Sequence, residues 1–264
     1  MGDGLPPLGQ LGWRGRFQPG SPEVQQLRGQ LQREAGIKGL QIVSPAEEGF
    51  AAKAAALFHR DGFVMVSDAL DNERLELLRR GCDHVIRKMI EQDPDRLGNR
   101  GSHRYSFGNS CAFFGCQKEF SVMIDPPVVL AVIEAIFGCR DFRSNGYGGD
   151  FVLPGCVEYQ HLHRDVRDYL NDPSGRLTHL DMPCAQIGVN YPMIVVPGAK
   201  GAHTAFNGAT RQIPGTQNLR QPIPSEEEEP RWMKLSTTAP APAGCAMFRD
   251  LRCWVRHPPV RITS

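Results

Sequence analysis

The sequence predicts an α+β fold in which helices from the first half pack on a β-sandwich or barrel built by the second half. Three observations carry this expectation. Up to about residue 138 the apolar residues recur at helical spacing. Beyond Gly138 they fall into short runs broken by glycine and proline. The 264 residues also include 28 glycines and 21 prolines, more turn formers than a helical bundle accommodates.

The elements follow from local signals. Residues 1–44 read as a flexible leader, rich in Gly and Pro at its start, with a polar, helix-compatible stretch from Pro22 to Ala35. A domain is expected over residues 45–264. Ser44-Pro45-Ala46-Glu47-Glu48 has the makings of a helix start: a capping Ser, Pro at the first position, acids in the first turn. That helix should run through Ala51–His59 and stop near Gly62, where Phe63-Val64-Met65-Val66 reads as a strand. Asp71 is placed to cap a long helix with Leu75, Leu78, Cys82, Val85, Ile86 and Met89 along one side, ended by Asp93-Pro94. A loop is expected from Asp95 to Ser110, then an apolar helix from Pro126 to Phe137 stopped by Gly138. The expected strands are Phe151–Leu153, Val157–Leu162, Gln186–Val196, Thr210–Ile213, Trp232–Leu235 and Ala246–Arg249.

Composition excludes several classes. A formal net charge of +1 gives no electrostatic attraction to nucleic acid or anionic lipid, and no apolar run is long enough to span a bilayer. Neither a nucleic-acid nor a membrane partner is therefore expected, and the protein reads as intracellular, cytoplasmic; the oligomeric state is not legible. Eight cysteines without a Cys-x-x-Cys pair read as reduced thiols, with Cys82 and Cys139 expected as small core residues.

The stretch with chemical content is Glu158-Tyr159-Gln160-His161-Leu162-His163-Arg164-Asp165. On an extended strand, residues two apart share a face, so His163 and Asp165 would present an imidazole and a carboxylate to one metal ion. With a distant third His, that makes the facial triad of non-haem Fe(II) oxygenases. His-x-Asp alone is a common triplet, and a surface His–Asp pair is the plainer alternative. Gln160, three residues before His163, would face away from it unless the chain bends. His161 would share the face of His163, lining the cavity or sitting in the core. Glu226–Glu229 reads as a solvated loop.

Four segments, in order, resemble the phytanoyl-CoA dioxygenase-like family of Fe(II)/2-oxoglutarate-dependent dioxygenases. Phe58-His59-Arg60-Asp61-Gly62-Phe63-Val64 resembles its entry, and Gln160-x-x-His163-x-Asp165 its proximal iron motif. Residues Asn207-Gly208-Ala209-Thr210-Arg211-Gln212-Ile213-Pro214-Gly215-Thr216-Gln217 resemble its Asn-Gly-x-Thr-Arg segment. Ala243-Gly244-Cys245-Ala246-Met247-Phe248-Arg249-Asp250-Leu251-Arg252-Cys253-Trp254 resembles the strand that delivers the distal His. The resemblance implies a double-stranded β-helix, the cupin-like jelly roll, binding Fe(II) with 2-oxoglutarate as co-substrate, and taking O₂ and a small-molecule or acyl-type substrate. It implies His163, Asp165 and His257 as metal ligands, with Arg261, Arg104 and Gln160 as co-substrate contacts. No catalytic residue beyond the ligands is implied.

The end of the chain departs from that pattern. The family places the distal His directly after the position of Trp254, and an Arg about ten residues later. Here Val255-Arg256-His257-Pro258-Pro259-Val260-Arg261 follows, so His257 is displaced by two and Arg261 lies only four residues beyond it. The last strand of the jelly roll is accordingly expected to be missing. Val195 to His203 reads as an insertion, either a surface loop or a substrate flap; His203 within it is a poorer ligand candidate. Arg211 is expected on a strand near the mouth, in a salt bridge or facing a substrate carboxylate. Two readings remain open from the sequence: an Fe(II)/2-oxoglutarate dioxygenase, or a catalytically impaired or non-catalytic relative that binds or regulates.

Overall fold

The computed structural model describes residues 42–256 apart from 111–114, 155, 157–159, 168, 171, 194–209, 234 and 237–242. The Pro22–Ala35 stretch, the Val195–His203 segment, His257 and Arg261 therefore lie outside the described residues. Helices and sheets are mixed, as an α+β fold requires. The largest sheet has the order β1-β2-β7-β5, built from Ile42–Val43, Phe63–Val66, Ala246–Asp250 and Ile187–Asn190 respectively. Its β1–β2 pair is parallel and the other two are antiparallel. A second antiparallel pair joins β3 (Arg104–Ser110) to β4 (Gly146–Val152), and a third joins β6 (Arg211–Gln212) to β8 (Val255–Arg256).

The two faces of the large sheet have different partners. Val64, Val66, Ala246 and Phe248 point toward α1 (Phe50–Asp61) and α4 (Pro127–Phe137), forming a core with Leu57, Phe58, Val132 and Ile136. Met65 and Met247 point the other way, and Gln212 of β6 donates to Met247 Sδ at 3.0 Å, so the β6–β8 sheet faces this side. Arg249 alternates with Phe248 and so also points into the space between the sheets. The outer face of β6–β8 is covered by the short helix α5 (Glu229–Trp232), whose Trp232 packs edge-on against Trp254, with Leu162, Ile213, Met233 and Leu235 around them.

Several expectations hold and several are corrected. Asp71 caps α2 (Asn72–Gln92), its Oδ1 accepting from the Arg74 amide, but only the first half of the expected apolar stripe is buried. The helix expected to start at Pro45 begins at Phe50, because Ser44–Gly49 folds into turns closed by Glu47 and by Gly49 at positive φ. The loop expected over Asp95–Ser110 contains β3, whose Tyr105 stacks on Phe151 of β4. The Trp232–Leu235 strand is instead the end of α5 and a turn. A short helix, α3 (Lys118–Ser121), supports α2. All seven described cysteines are free, as expected, yet Cys139 is exposed rather than core. Among the described residues no helix is long and apolar enough to cross a membrane.

Three of the family-like segments meet at one place. Gly62 ends α1 at φ +84°, and its carbonyl accepts from the Asp250 amide. Gln217 donates to the carbonyls of His59 and Arg60, and the Gly215 amide to Asp61 O. A Cβ at Gly62 would stand 2.5 Å from Gln217 Oε1, so contact and φ both demand glycine. From this junction the chain leaves β7, turns through Leu251–Cys253 and enters the second sheet as β8. The turn is held by Asp250, which accepts from Arg252 Nε at 2.9 Å and Nη2 at 2.6 Å; both side chains are buried. Arg252 continues to the Met182 carbonyl at 2.8 Å.

Asp250→Asn leaves the Arg252 guanidinium buried without its counter-charge. The expected loss is about 3–5 kcal/mol of unfolding free energy, measurable by urea denaturation. Retention of wild-type stability would show that the pair does not hold the turn.

Candidate metal centre and its supports

His163 is fixed by the backbone before its side chain does anything. Its amide donates to the Val255 carbonyl at 3.1 Å and its carbonyl accepts from the Val255 amide at 2.9 Å, making an isolated antiparallel bridge. The same face of that bridge carries Gln212 on the far side of β8, so the His163 ring is directed between the sheets. Two residues on, the Asp165 amide donates to Leu251 O at 3.0 Å, in the β7–β8 turn. The chain is thus anchored at both ends of His-x-Asp by the same connection between β7 and β8.

The ring orientation is set by its own hydrogen bonds. Nδ1–H donates to the His161 carbonyl at 2.7 Å, which leaves Nε2 as the bare nitrogen. Nε2 lies 3.1 Å from Asp165 Oδ1 and accepts from Gln160 Nε2 at 3.1 Å. Gln160 Oε1 in turn accepts from Arg104 Nη2 at 2.8 Å. On the other side, Arg249 Nη1 lies 2.6 Å from Asp165 Oδ2. The line therefore runs Arg104–Gln160–His163–Asp165–Arg249. Burial by itself would raise the Asp165 pKa, but the neighbouring His163 ring and the charge and hydrogen bond of Arg249 overcome it and hold the carboxyl well below the usual carboxylate range.

These residues suit a divalent ion. A bare Nε2 facing a carboxylate oxygen places two electron-rich atoms together, a conflict that a proton or a metal ion between them removes. Two donors at adjacent positions around one first-row metal, each about 2.1 Å from it, stand about 3 Å apart. The Nε2–Oδ1 separation matches that spacing. Among the described residues no three His, Cys, Asp or Glu side chains converge on one point, so a third ligand is not among them.

Of the residues proposed from the sequence, His163, Asp165, Gln160 and Arg104 are brought together. Gln160 reaches His163 because residues 160–162 do not form a regular strand, which breaks the alternation that would have turned it away. His161 does not share the site. Its Nδ1 lies 3.2 Å from Glu229 Oε2 and its Nε2 3.3 Å from Glu226 Oε1, on the outer side. Glu229, expected in a solvated loop, is 3 % exposed, pairs with Arg256 Nη1 at 3.1 Å, and accepts from the Leu162 amide. Arg211 lies on β6 and donates to Met233 O on the outer side, away from Asp165.

Sequence reasoning missed Arg249. The signal was available: one place after Phe248, whose neighbours alternate in and out, it had to face the cavity. A buried cation beside a carboxylate marks a candidate site. Gly188, opposite Arg249 in β5, keeps that space open, since a Cβ there would approach Leu251 Cδ2 to 2.8 Å.

No family model and no curated protein matches the chain. Solved structures do. The crystal structure of AviO1 from Streptomyces viridochromogenes Tue57 is similar, with a TM-score of 0.51 at 16 % identity, over 81 % of this chain and 90 % of that one. The likeness is one of fold. The non-heme alpha ketoglutarate dependent epimerase SnoN from nogalamycin biosynthesis gives a TM-score of 0.46 at 14 % identity, over 83 % of this chain and 78 % of that one. Its complex with Fe3+, alpha ketoglutarate and nogalamycin RO gives 0.46 at 15 %, over 83 % and 80 %.

Below the site, Cys253 is buried against Thr216, and its thiol pKa is pushed up to about 12 by burial; burial and the nearby Asp250 likewise push Cys184 up to about 12. A thiol raised in the folded state keeps its proton where the unfolded chain has released it. Its stabilising contribution is complete below the unfolded value of about 8.5 and is lost as pH rises toward the folded value. Stability is therefore expected to fall from about pH 9 upward. Cys184→Ala should flatten the dependence of the urea midpoint on pH between 9 and 10.5, and an unchanged slope would refute the assignment.

Proposed function

We propose that the chain is a non-haem Fe(II)/2-oxoglutarate-dependent oxygenase built on a double-stranded β-helix, hydroxylating a small-molecule or acyl-type substrate. The observation that carries this reading is the pair of donor atoms, His163 Nε2 and Asp165 Oδ1, held 3.1 Å apart by backbone bonds to the one connection from Leu251 to Val255. The sandwich of β1-β2-β7-β5 over β6–β8, with the chain crossing between them after Asp250, supports the double-stranded β-helix. The motif resemblance, with the four segments in family order, supports the co-substrate.

Iron bound at this site would supply activation of O₂, one oxygen entering a substrate C–H bond and the other the succinate formed as 2-oxoglutarate gives up two electrons and CO₂. The residues of this chain do the rest. His163 and Asp165 hold the ion, and His257 is assigned as the third ligand. The His161 carbonyl keeps the proton of His163 on Nδ1, away from the ion. Gln160, whose amide holds the Nε2 lone pair in this structure and would yield it to the ion, stands beside the site with Arg104, and Arg249 fixes the Asp165 carboxylate from the other side. Arg261 is assigned to the far carboxylate of the co-substrate, with Arg104 and Gln160 near the mouth. Bound that way, the carboxylate would be held by a fork of donors.

The alternative, a binding protein without turnover, has one observation in its favour: Asp165 already carries a close ion pair with Arg249, which draws charge from the ligand oxygen. Anaerobic titration with Fe(II), with and without 2-oxoglutarate, separates the two. The oxygenase reading expects a weak visible charge-transfer band that needs both components and disappears in Asp165→Ala. Folded protein that shows no band supports the non-catalytic alternative instead.

A further inference from the structure

Glu229 sits on the opposite side of the His163 segment from the donor atoms, yet it is the group on which that segment rests. In the bridge with Val255, the amide and carbonyl of His163 both point at β8. By the alternation of an antiparallel pair, the Leu162 amide points the other way, toward an edge with no strand beside it among the described residues. A buried amide there needs an acceptor. Glu229 Oε1 provides it at 3.2 Å, and the same oxygen pairs with Arg256 Nη1 at 3.1 Å. Glu229 Oε2 holds the His161 ring at 3.2 Å.

The connections then close a ring. Arg256 follows Val255, which brackets His163 from the β8 side. Leu162 and His161 precede His163, and the His161 carbonyl accepts the His163 Nδ1 proton. One carboxylate thus fixes both the edge of the ligand segment and the carbonyl that selects the His163 tautomer. The α5 helix that carries it is itself anchored by Trp232 on Trp254.

From this geometry we propose that Glu229 is a positioning residue for His163: it gives the Leu162 amide the acceptor that a neighbouring strand would and, through His161, holds His163 with Nε2 bare. The inference rests on the oxygenase reading only for its effect on metal binding; its effect on the segment stands apart from that reading.

Glu229 also balances a buried charge, so the test must separate tethering from neutralisation. Glu229→Gln with Arg256→Met removes both charges and keeps an acceptor for the Leu162 amide. Glu229→Leu with Arg256→Met removes both charges and the acceptor. The leucine variant is expected to have the lower urea midpoint, because its Leu162 amide is left without an acceptor, so exchange at the site is read relative to the amides of α4, remote from it. In the metal-free proteins, hydrogen exchange at the His163 and Asp165 amides should be about tenfold faster in the leucine variant than in the glutamine variant. Co(II) in the presence of 2-oxoglutarate should bind the leucine variant about 10–100-fold more weakly, the usual cost of losing the support behind a ligating histidine. Glu229→Asp, which keeps the charge beside Arg256 but shortens the arm, repeats the exchange test with the buried charges intact and should also exchange faster than wild type.

Equal exchange in the two double variants, or wild-type exchange in Glu229→Asp, overturns the proposal. Wild-type protein that binds no Co(II) overturns the metal reading, while the exchange data still decide the role of Glu229.

Discussion

The pairing of His163 with Val255 is the constraint on which the rest of the site depends. A His-x-Asp triplet presents two donors together only if its backbone is extended and anchored, and here the anchor is the connection that carries the chain from one sheet to the other. Val255 takes both hydrogen bonds of His163, and Leu251, in the intervening turn, takes the Asp165 amide. Whatever positions β8 therefore positions both donors. That explains why so much of the polar interior is concentrated between Arg249 and Arg256. Asp250 and Arg252 hold the turn, Arg249 reaches Asp165, and Arg256 reaches Glu229.

Buried charges are costly, and this region holds several in close succession. Each has a partner within 3.1 Å, which is the condition under which such groups persist. Their value is directional more than energetic. A hydrophobic turn of similar volume would be no less stable, but it would leave the register of β8 to be decided by packing alone. Arg252 bonded to Met182 O, and Arg256 to Glu229, admit one register, and the donor atoms inherit that definition.

Much of this was legible in the sequence, and the parts that were not share a cause. Local signals placed the Asp71 cap, the Gly62 and Gly138 stops and the Phe63–Val66 strand, because each depends on residues within one turn of itself. His163, Asp165, Gln160 and Arg104 came from motif order, and the structure brings them together. Glu229 was misread because four consecutive acids look like a solvated face; only the distant Arg256 and the Leu162 amide make the last of them a buried acceptor. His161 was misplaced for the related reason that strict alternation fails where the strand is one bridge long. β3 was hidden by its Gly, Asn and Ser content, tolerated because Tyr105 and Phe151 supply the stacking that holds the ribbon.

The charges around the donor pair also constrain what can bind. Among the described residues Asp165 is the acidic group that faces His163, and Arg249 already takes one of its oxygens. A divalent ion at Nε2 and Oδ1 would share that one negative charge with the buried guanidinium, leaving the interior with a formal surplus of about two positive charges. The donor pair is open to solvent, His163 and Asp165 side chains being 23 % and 31 % exposed, so an anionic ligand could enter and offset that surplus. A neutral ligand would leave the metal and Arg249 competing for Asp165. Under the proposed function an acid entering with the metal would offset that charge, through Arg249, the residue that motif reading passed over.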